Sequence, residues 1–401
     1  MSSGQITVRK NTLLTGIIKL QLVLMIVYEG WYLEKYTAIP GLLQILAVAI
    51  IGTTFLLLIT NTGSGKNKLI KYWIFFGVYC AFAAIIINAD LLIVFDSLFT
   101  FFAFIAVVYC AGVVSKYTSD YSWFSKAILL LSIISAFCAL FYGVPYDNGG
   151  YTVTTISEYN NPNTLGLLMG IGTFMAVFPE HKPRLVGWLV RIALMFIFLW
   201  VTVNTGSRSA LLCEVAVIIL FVYSQIKNAK KVSDARLIRN IALVAVGLIV
   251  TVVMFNIIRV GNVAGSAIRR LFENFNSESF TGRTDLYAAA WSIYIQNPVF
   301  GIGYKCFETT SGFGYFTHST YMELLSCTGT IGFVLFLWPV IKGTWGGIRA
   351  FRRDGGRSAT ILLMMLVSGL FGIVYYHMVF LMVLYLEISR IPTADAALKQ
   401  I

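Results

Sequence analysis

Apolar residues in this chain fall in runs of roughly 20, the length a helix needs to cross a hydrocarbon core. Spans are read near 11–28, 39–59, 72–88, 91–114, 124–143, 163–179, 185–204, 208–226, 239–258, 319–341, 358–376 and 378–391. Lys19 interrupts the first, and the last is short. Asn88-Ala89-Asp90, Asn204-Thr205-Gly206 and Tyr376-His377 read as tight turns between helices, and Pro179 and Pro183 bracket another. Pro162 sits in a first helical turn, where proline is tolerated, and Asn161 before it reads as the cap. The first run lacks a small-residue cleavage site and is read as a retained helix. The pattern predicts an all-α polytopic membrane protein with about twelve transmembrane helices and both termini cytoplasmic. Residues 1–401 form a single membrane domain in this reading, with no inverted repeat.

Two segments break the rhythm. One is an outer loop at 144–161, and the other a large helical outer loop at 259–317, between helices 9 and 10. In the larger loop, Ile268, Leu271, Phe272 and Phe275 have amphipathic helical spacing beside Arg269 and Arg270, which suits a helix on the membrane surface. A second helix is expected from Asp285 to Gln296, with Thr284 as its N-cap and Asn297-Pro298 as its stop. Gly301, Gly303, Gly312 and Gly314 then mark a flexible or tightly turned stretch.

Composition agrees with the pattern. Of 401 residues, 58% are hydrophobic and only 12% charged, and the mean hydropathy is +0.79. The formal net charge of +12 does not indicate nucleic acid, because the basic residues follow the topology. With the N-terminus inside, 22 of the 30 lysines and arginines fall on inner segments. Lys19 lies in a span, and only Lys35, Arg208, Arg259, Arg269, Arg270, Arg283 and Lys305 fall outside. The six cysteines form neither a disulfide framework nor a metal spacing.

The outer basic residues run against the positive-inside tendency, so each needs a reason. Arg208 opens a span, where free N–H groups and the dipole favour a phosphate or diphosphate; the alternative is an arginine snorkelling to lipid headgroups. Arg283, in Thr-Gly-Arg-Thr-Asp, again combines a cation with a helix start; the alternative is an ion pair with Asp285 or Glu278. Arg259, Arg269 and Arg270 suit anionic lipid, and Arg259 and Arg270 are also candidate lining residues. His318 sits at the outer mouth of a span and suits general base work, with a structural histidine as the alternative. His181 lies in an inner turn, and His377 suits a capping role. Glu158, Asn160, Asn161 and Asn163 could bind sugar hydroxyls or cap a helix. Glu214 and Glu323 lie inside their helices, at a depth where ionisable groups are costly and often functional.

Asn297–Phe307 (Asn-Pro-Val-Phe-Gly-Ile-Gly-Tyr-Lys-Cys-Phe) is followed by His318-Ser-Thr-Tyr-Met-Glu and the pair Gly329 and Gly332. Together with Ser207-Arg208 and Arg283, these segments resemble the O-antigen ligase and O-antigen polymerase superfamily. The resemblance covers Asn204–Leu212 and Arg283 to about Leu337, with topology covering the rest. Ser319 stands where that family commonly has asparagine.

The resemblance implies a GT-C-like membrane glycosyltransferase of the bacterial cytoplasmic membrane, its active site facing the periplasm or cell exterior. Its donor would be a glycan on undecaprenyl diphosphate, and its acceptor a sugar hydroxyl on a glycan or lipid-linked glycan. Transfer would invert the anomeric carbon and need no metal or other cofactor. By resemblance His318 is the general base, and Arg208 and Arg283 bind the diphosphate. Tyr321, Glu323, Glu158 and Asn160 are candidate substrate-lining residues. Membrane lipids and a chain-length regulator are the remaining implied partners. The reading favours a polymerase of O-antigen, capsule or exopolysaccharide units, with an O-antigen ligase as the alternative. A transporter or flippase of lipid-linked glycans is the alternative of another class, and Asp96 and Glu214 favour it most.

Overall fold

The structure is a computed structural model that describes residues 3–31, 41–60, 70–87, 99, 106–107, 109–114, 121–147, 152–155, 161–181, 184–228, 278–352, 354–372 and 379–388. The chain groups into two compact units. The first holds Met1–Tyr121, Gly282–Gly343 and Gly369–Ile401, and the second holds Ser122–Thr281 and Thr344–Ser368.

The first unit contains α1 (Ser3–Trp31), α2 (Leu42–Thr60) and α3 (Ile70–Ile86). α1 buries Ile18, Leu22, Met25 and Ile26, yet exposes Leu13, Ile17, Leu20 and Leu24. α3 buries Trp73, Phe76, Cys80 and Ala83 and exposes Phe75, Val78, Phe82 and Ile85. Both stripes repeat every three or four residues, so each helix is apolar on its packed face and on its open face. Water does not tolerate that arrangement, whereas lipid does.

The second unit contains α4 (Ser122–Tyr142), β1 (Val144–Asp147), β2 (Thr152–Thr155), α5 (Pro162–Val177), α6 (Leu185–Asn204) and α7 (Arg208–Asn228). α5 is its centre, buried along nearly its whole length and packed against α4, α6 and α7. Close approach depends on glycine: a Cβ at Gly166 would fall 2.6 Å from that of Ala210, and one at Gly172 2.6 Å from that of Ser132. Asn161 caps α5 as expected, its side chain accepting the Asn163 N–H, with Pro162 at N1. At the other end, Arg191 donates to the Met175 and Ala176 carbonyls at 3.0 and 3.2 Å. Arg357 donates to the Phe178 carbonyl and lies 3.0 Å from Glu180. Two arginines thus satisfy the carbonyls that the end of α5 would leave bare.

The remaining elements are α8 (Glu278–Gln296), α9 (Phe307–Thr310), α10 (Thr320–Arg349), α11 (Arg357–Ser368) and α12 (Val379–Ile388). Among the described residues, α4, α6, α7 and α10 are long and apolar enough to cross a membrane, and several shorter helices are apolar too. The expected span at 239–258 and the amphipathic helix at 268–275 lie outside the described residues.

Three expectations change. The loop at 144–161 contains an antiparallel hairpin, Val144 pairing with Thr155 and Asp147 with Thr152, so the described chain is not purely helical. α8 begins at Glu278, so Thr284 lies inside the helix and is not its N-cap. The span expected to run to 376 ends at Ser368, where residues 369–372 turn.

Candidate functional site

In the first unit, α8 packs through Leu286 and Ala290 onto Phe307 and Cys327, with Tyr287, Ile293 and Met322 around them. Arg283 precedes Leu286, Tyr287 and Ala290 by three, four and seven residues, so it shares their helix face. It is half-buried, and it forms no ion pair with Asp285, which is exposed. Glu278 lies outside the described side chains.

α10 is one helix by length but is broken at Gly329, whose φ of 62° and ψ of −170° leave the helical region. The Ser326 and Cys327 carbonyls, freed by the break, accept the Ile302 and Gly303 N–H groups at 3.0 and 2.8 Å. Thr330 in turn donates its N–H to the Pro298 carbonyl at 2.8 Å. The segment after α8 therefore docks into the break as an extra hydrogen-bonded strand would. Glycine is needed on both sides of this contact. A Cβ at Gly301 would collide with the Cys327 backbone, and one at Gly329 with the Val299 carbonyl. The Tyr79 hydroxyl from α3 lies 2.8 Å from both the Val299 and Thr328 carbonyls and clasps loop and helix together.

The other end of the loop is fixed just before α10. Glu323 is fully buried, and its carboxylate accepts the Thr317 N–H at 2.8 Å. The Thr317 hydroxyl bonds the Ser319 backbone. Thr320 donates its N–H to the Gly369 carbonyl at 2.8 Å and its hydroxyl to the Gly372 carbonyl at 2.8 Å. Between these anchors His318 is held at φ 58°, a left-handed conformation that histidine adopts more readily than most residues. Its ring meets Phe316 edge-on at 4.7 Å and lies 6.3 Å from Tyr315.

Burial lowers the His318 pKa, and the positive charge of Arg283 lowers it further, to about 4. The imidazole is therefore neutral at pH 7, in the form that accepts a proton. Tyr287 is raised by burial, a shift that Arg283 opposes.

Sequence reasoning thus names two residues that the first unit brings within electrostatic range, His318 and Arg283. Tyr321 is half-buried one turn below. Glu323 fastens the loop from inside and does not face solvent. Arg208 lies in the second unit, half-buried at the first position of α7. Ser207 caps that helix, its hydroxyl accepting the Ala210 N–H at 3.4 Å, after the turn at Gly206 with φ 60°. The Ser-Arg pair therefore encodes a cap followed by a cation. Glu214 is buried in α7 and accepts a hydrogen bond from Thr173. Glu158, Asn160, Arg259, Arg270, Asp96 and His377 lie outside the described residues.

Sequence reasoning missed Tyr79, Thr320 and the 369–372 turn. Tyr79 reads as one more aromatic in an apolar span, and its partners are over 200 positions away. Residues 193–337 match the family model described as O-antigen ligase. No curated protein matches the chain.

Proposed function

We propose, from the O-antigen ligase family model that residues 193–337 match, that this chain is a membrane glycosyltransferase that moves a glycan from undecaprenyl diphosphate to a sugar hydroxyl on the outer face of the membrane. The observation that carries this reading is His318, neutral and held in a fixed backbone conformation under the charge of Arg283. His318 takes the acceptor proton as the acceptor oxygen bonds to the anomeric carbon. The bond from that carbon to the diphosphate oxygen breaks with inversion, and Arg283 stabilises the charge left on the diphosphate. Arg208, at a capped helix start in the second unit, is proposed as a phosphate-binding residue on its local setting alone.

The pair also couples binding to chemistry. A base with a pKa near 4 is weak. An anionic diphosphate beside Arg283 offsets the charge that holds His318 down, so donor binding makes the base stronger.

The acceptor is proposed to be another lipid-linked glycan, which makes the chain a polymerase. The description of the matched family supports the ligase alternative, with lipid A-core as acceptor. The test uses purified protein in nanodiscs with undecaprenyl-diphosphate-linked repeat units from the host. A ladder of lengthening glycans that vanishes in His318→Ala supports the polymerase. Single transfer only after lipid A-core is added makes it a ligase. No transfer to either acceptor, with flux lost on changing Asp96 or Glu214, overturns both in favour of transport.

A further inference from the structure

The chain entering His318 reads Gly312-Phe313-Gly314-Tyr315-Phe316-Thr317. Phe313 and Tyr315 remain 37% and 45% exposed, and their rings meet edge-on at 6.1 Å. Tyr315 is in turn 6.3 Å from the His318 ring. Gly312 and Gly314 have φ of 78° and 72°, and a Cβ on either would meet open space. These glycines are therefore required by the turn of the backbone and not by close packing. Their alternation with aromatics holds two large rings outward beside the base. Phe316 is half-buried and packs on the imidazole itself.

We propose that Phe313 and Tyr315 form a stacking platform for the acceptor sugar, the ring whose hydroxyl His318 deprotonates. The inference rests on the transfer reading above and names the residues that set acceptor preference. A pyranose presents an apolar C–H face and a polar rim. An aromatic face complements the first, and the tyrosine hydroxyl can bond the second. Aromatic side chains give large contact at little conformational cost, which suits a surface that must hold and release a polar ligand. Because the platform adjoins the base, the ring it holds is the acceptor and not the sugar carried by the diphosphate.

The test compares wild type with the Phe313→Ala/Tyr315→Ala double variant, using an acceptor glycan that carries no diphosphate. The double variant should raise acceptor KM about tenfold, with kcat within about twofold, since two aromatic contacts are lost and the base is kept. Tyr315→Phe and Phe313→Trp retain stacking faces and should restore the acceptor KM. Saturation-transfer NMR with the lipid-free repeat-unit oligosaccharide reads the same contact without turnover. Its signal should appear in wild type and disappear in the double variant. Unchanged KM and kcat, or no oligosaccharide contact in wild type, would overturn the platform. A wild type that binds the oligosaccharide through these rings yet transfers nothing would support the platform while refuting the transfer reading.

Discussion

Arg357 and Arg283 are both shielded arginines, and their surroundings are opposites. Arg357 is spent on structure. It bonds the carbonyl at the end of α5, pairs with Glu180, bonds the Ser125 hydroxyl at 3.2 Å, and lies 5.0 Å from the Phe174 ring centre. Arg283 has no carboxylate partner among the described residues, and its charge falls on His318 and Tyr287. Both groups are cations shielded in part from solvent. One is compensated by a carboxylate and a carbonyl, and the other has no carboxylate partner among the described residues. That difference, more than burial or charge alone, is the basis for proposing Arg283 as a binding arginine.

Removing either partner should expose the contrast. Arg357→Ala strands Glu180 and should cost about 3–5 kcal/mol of stability, read as lost folded yield and a lower melting temperature in detergent. His318→Ala should leave melting nearly unchanged while transfer falls by roughly 10²–10⁴-fold. His318→Asn tolerates the left-handed backbone and removes the base, so equal loss in both variants assigns the effect to chemistry and not to the loop. Full activity in either variant would remove His318 from the mechanism.

Arg283→Ala should weaken transfer by about 2–4 kcal/mol in transition-state terms without destabilising the fold, the reverse of Arg357→Ala. Arg283→Lys should recover only part, because lysine lacks the planar fork. Gly329→Ala forces a side chain into a glycine-only conformation against the Val299 carbonyl, at a cost of about 1–3 kcal/mol. Its activity loss should come with faster proteolysis of the 298–303 segment.

The smallest effect is in pH. His318 must be deprotonated to act, so activity rises with pH through its pKa. The acid limb of kcat/KM should lie near 4 and not near the ordinary 6.5. Arg283→Gln removes a charge that lowers this pKa, so the limb should move upward, though not all the way, since burial is the larger cause. A limb that stays fixed would show that the two residues are not coupled.

Much of this architecture is legible in apolar periodicity. The helices at 122–142, 162–177, 185–204 and 208–228 end within a few residues of their expected bounds, because each is set by local signals such as Asn161-Pro162 and Asn204-Thr205-Gly206. What periodicity hides is tertiary. The break at Gly329 sits inside an unbroken apolar run and exists because residues 298–303 supply its hydrogen bonds. The turn at 369–372 likewise ends an apolar run where Thr320 and Tyr287 bond its carbonyls. The sequence names His318 and Arg283 as separate candidates, and does not show that the charge of one acts on the other. Arg283 shares a helix face with Leu286 and Ala290 only because α8 begins at Glu278, several residues before its expected start.

The loop before His318 is fastened at both ends, through Gly301–Gly303 in the helix break and through Thr317 on Glu323. Most of Glu308–Tyr315 between them is exposed. Such an arrangement behaves as a cassette in a fixed frame. Residues between the fasteners can be exchanged while His318 keeps its place, so under the proposed function sugar preference diverges between related chains at little cost to catalysis. A library confined to 308–315 therefore offers a route to retargeting the enzyme without redesigning it.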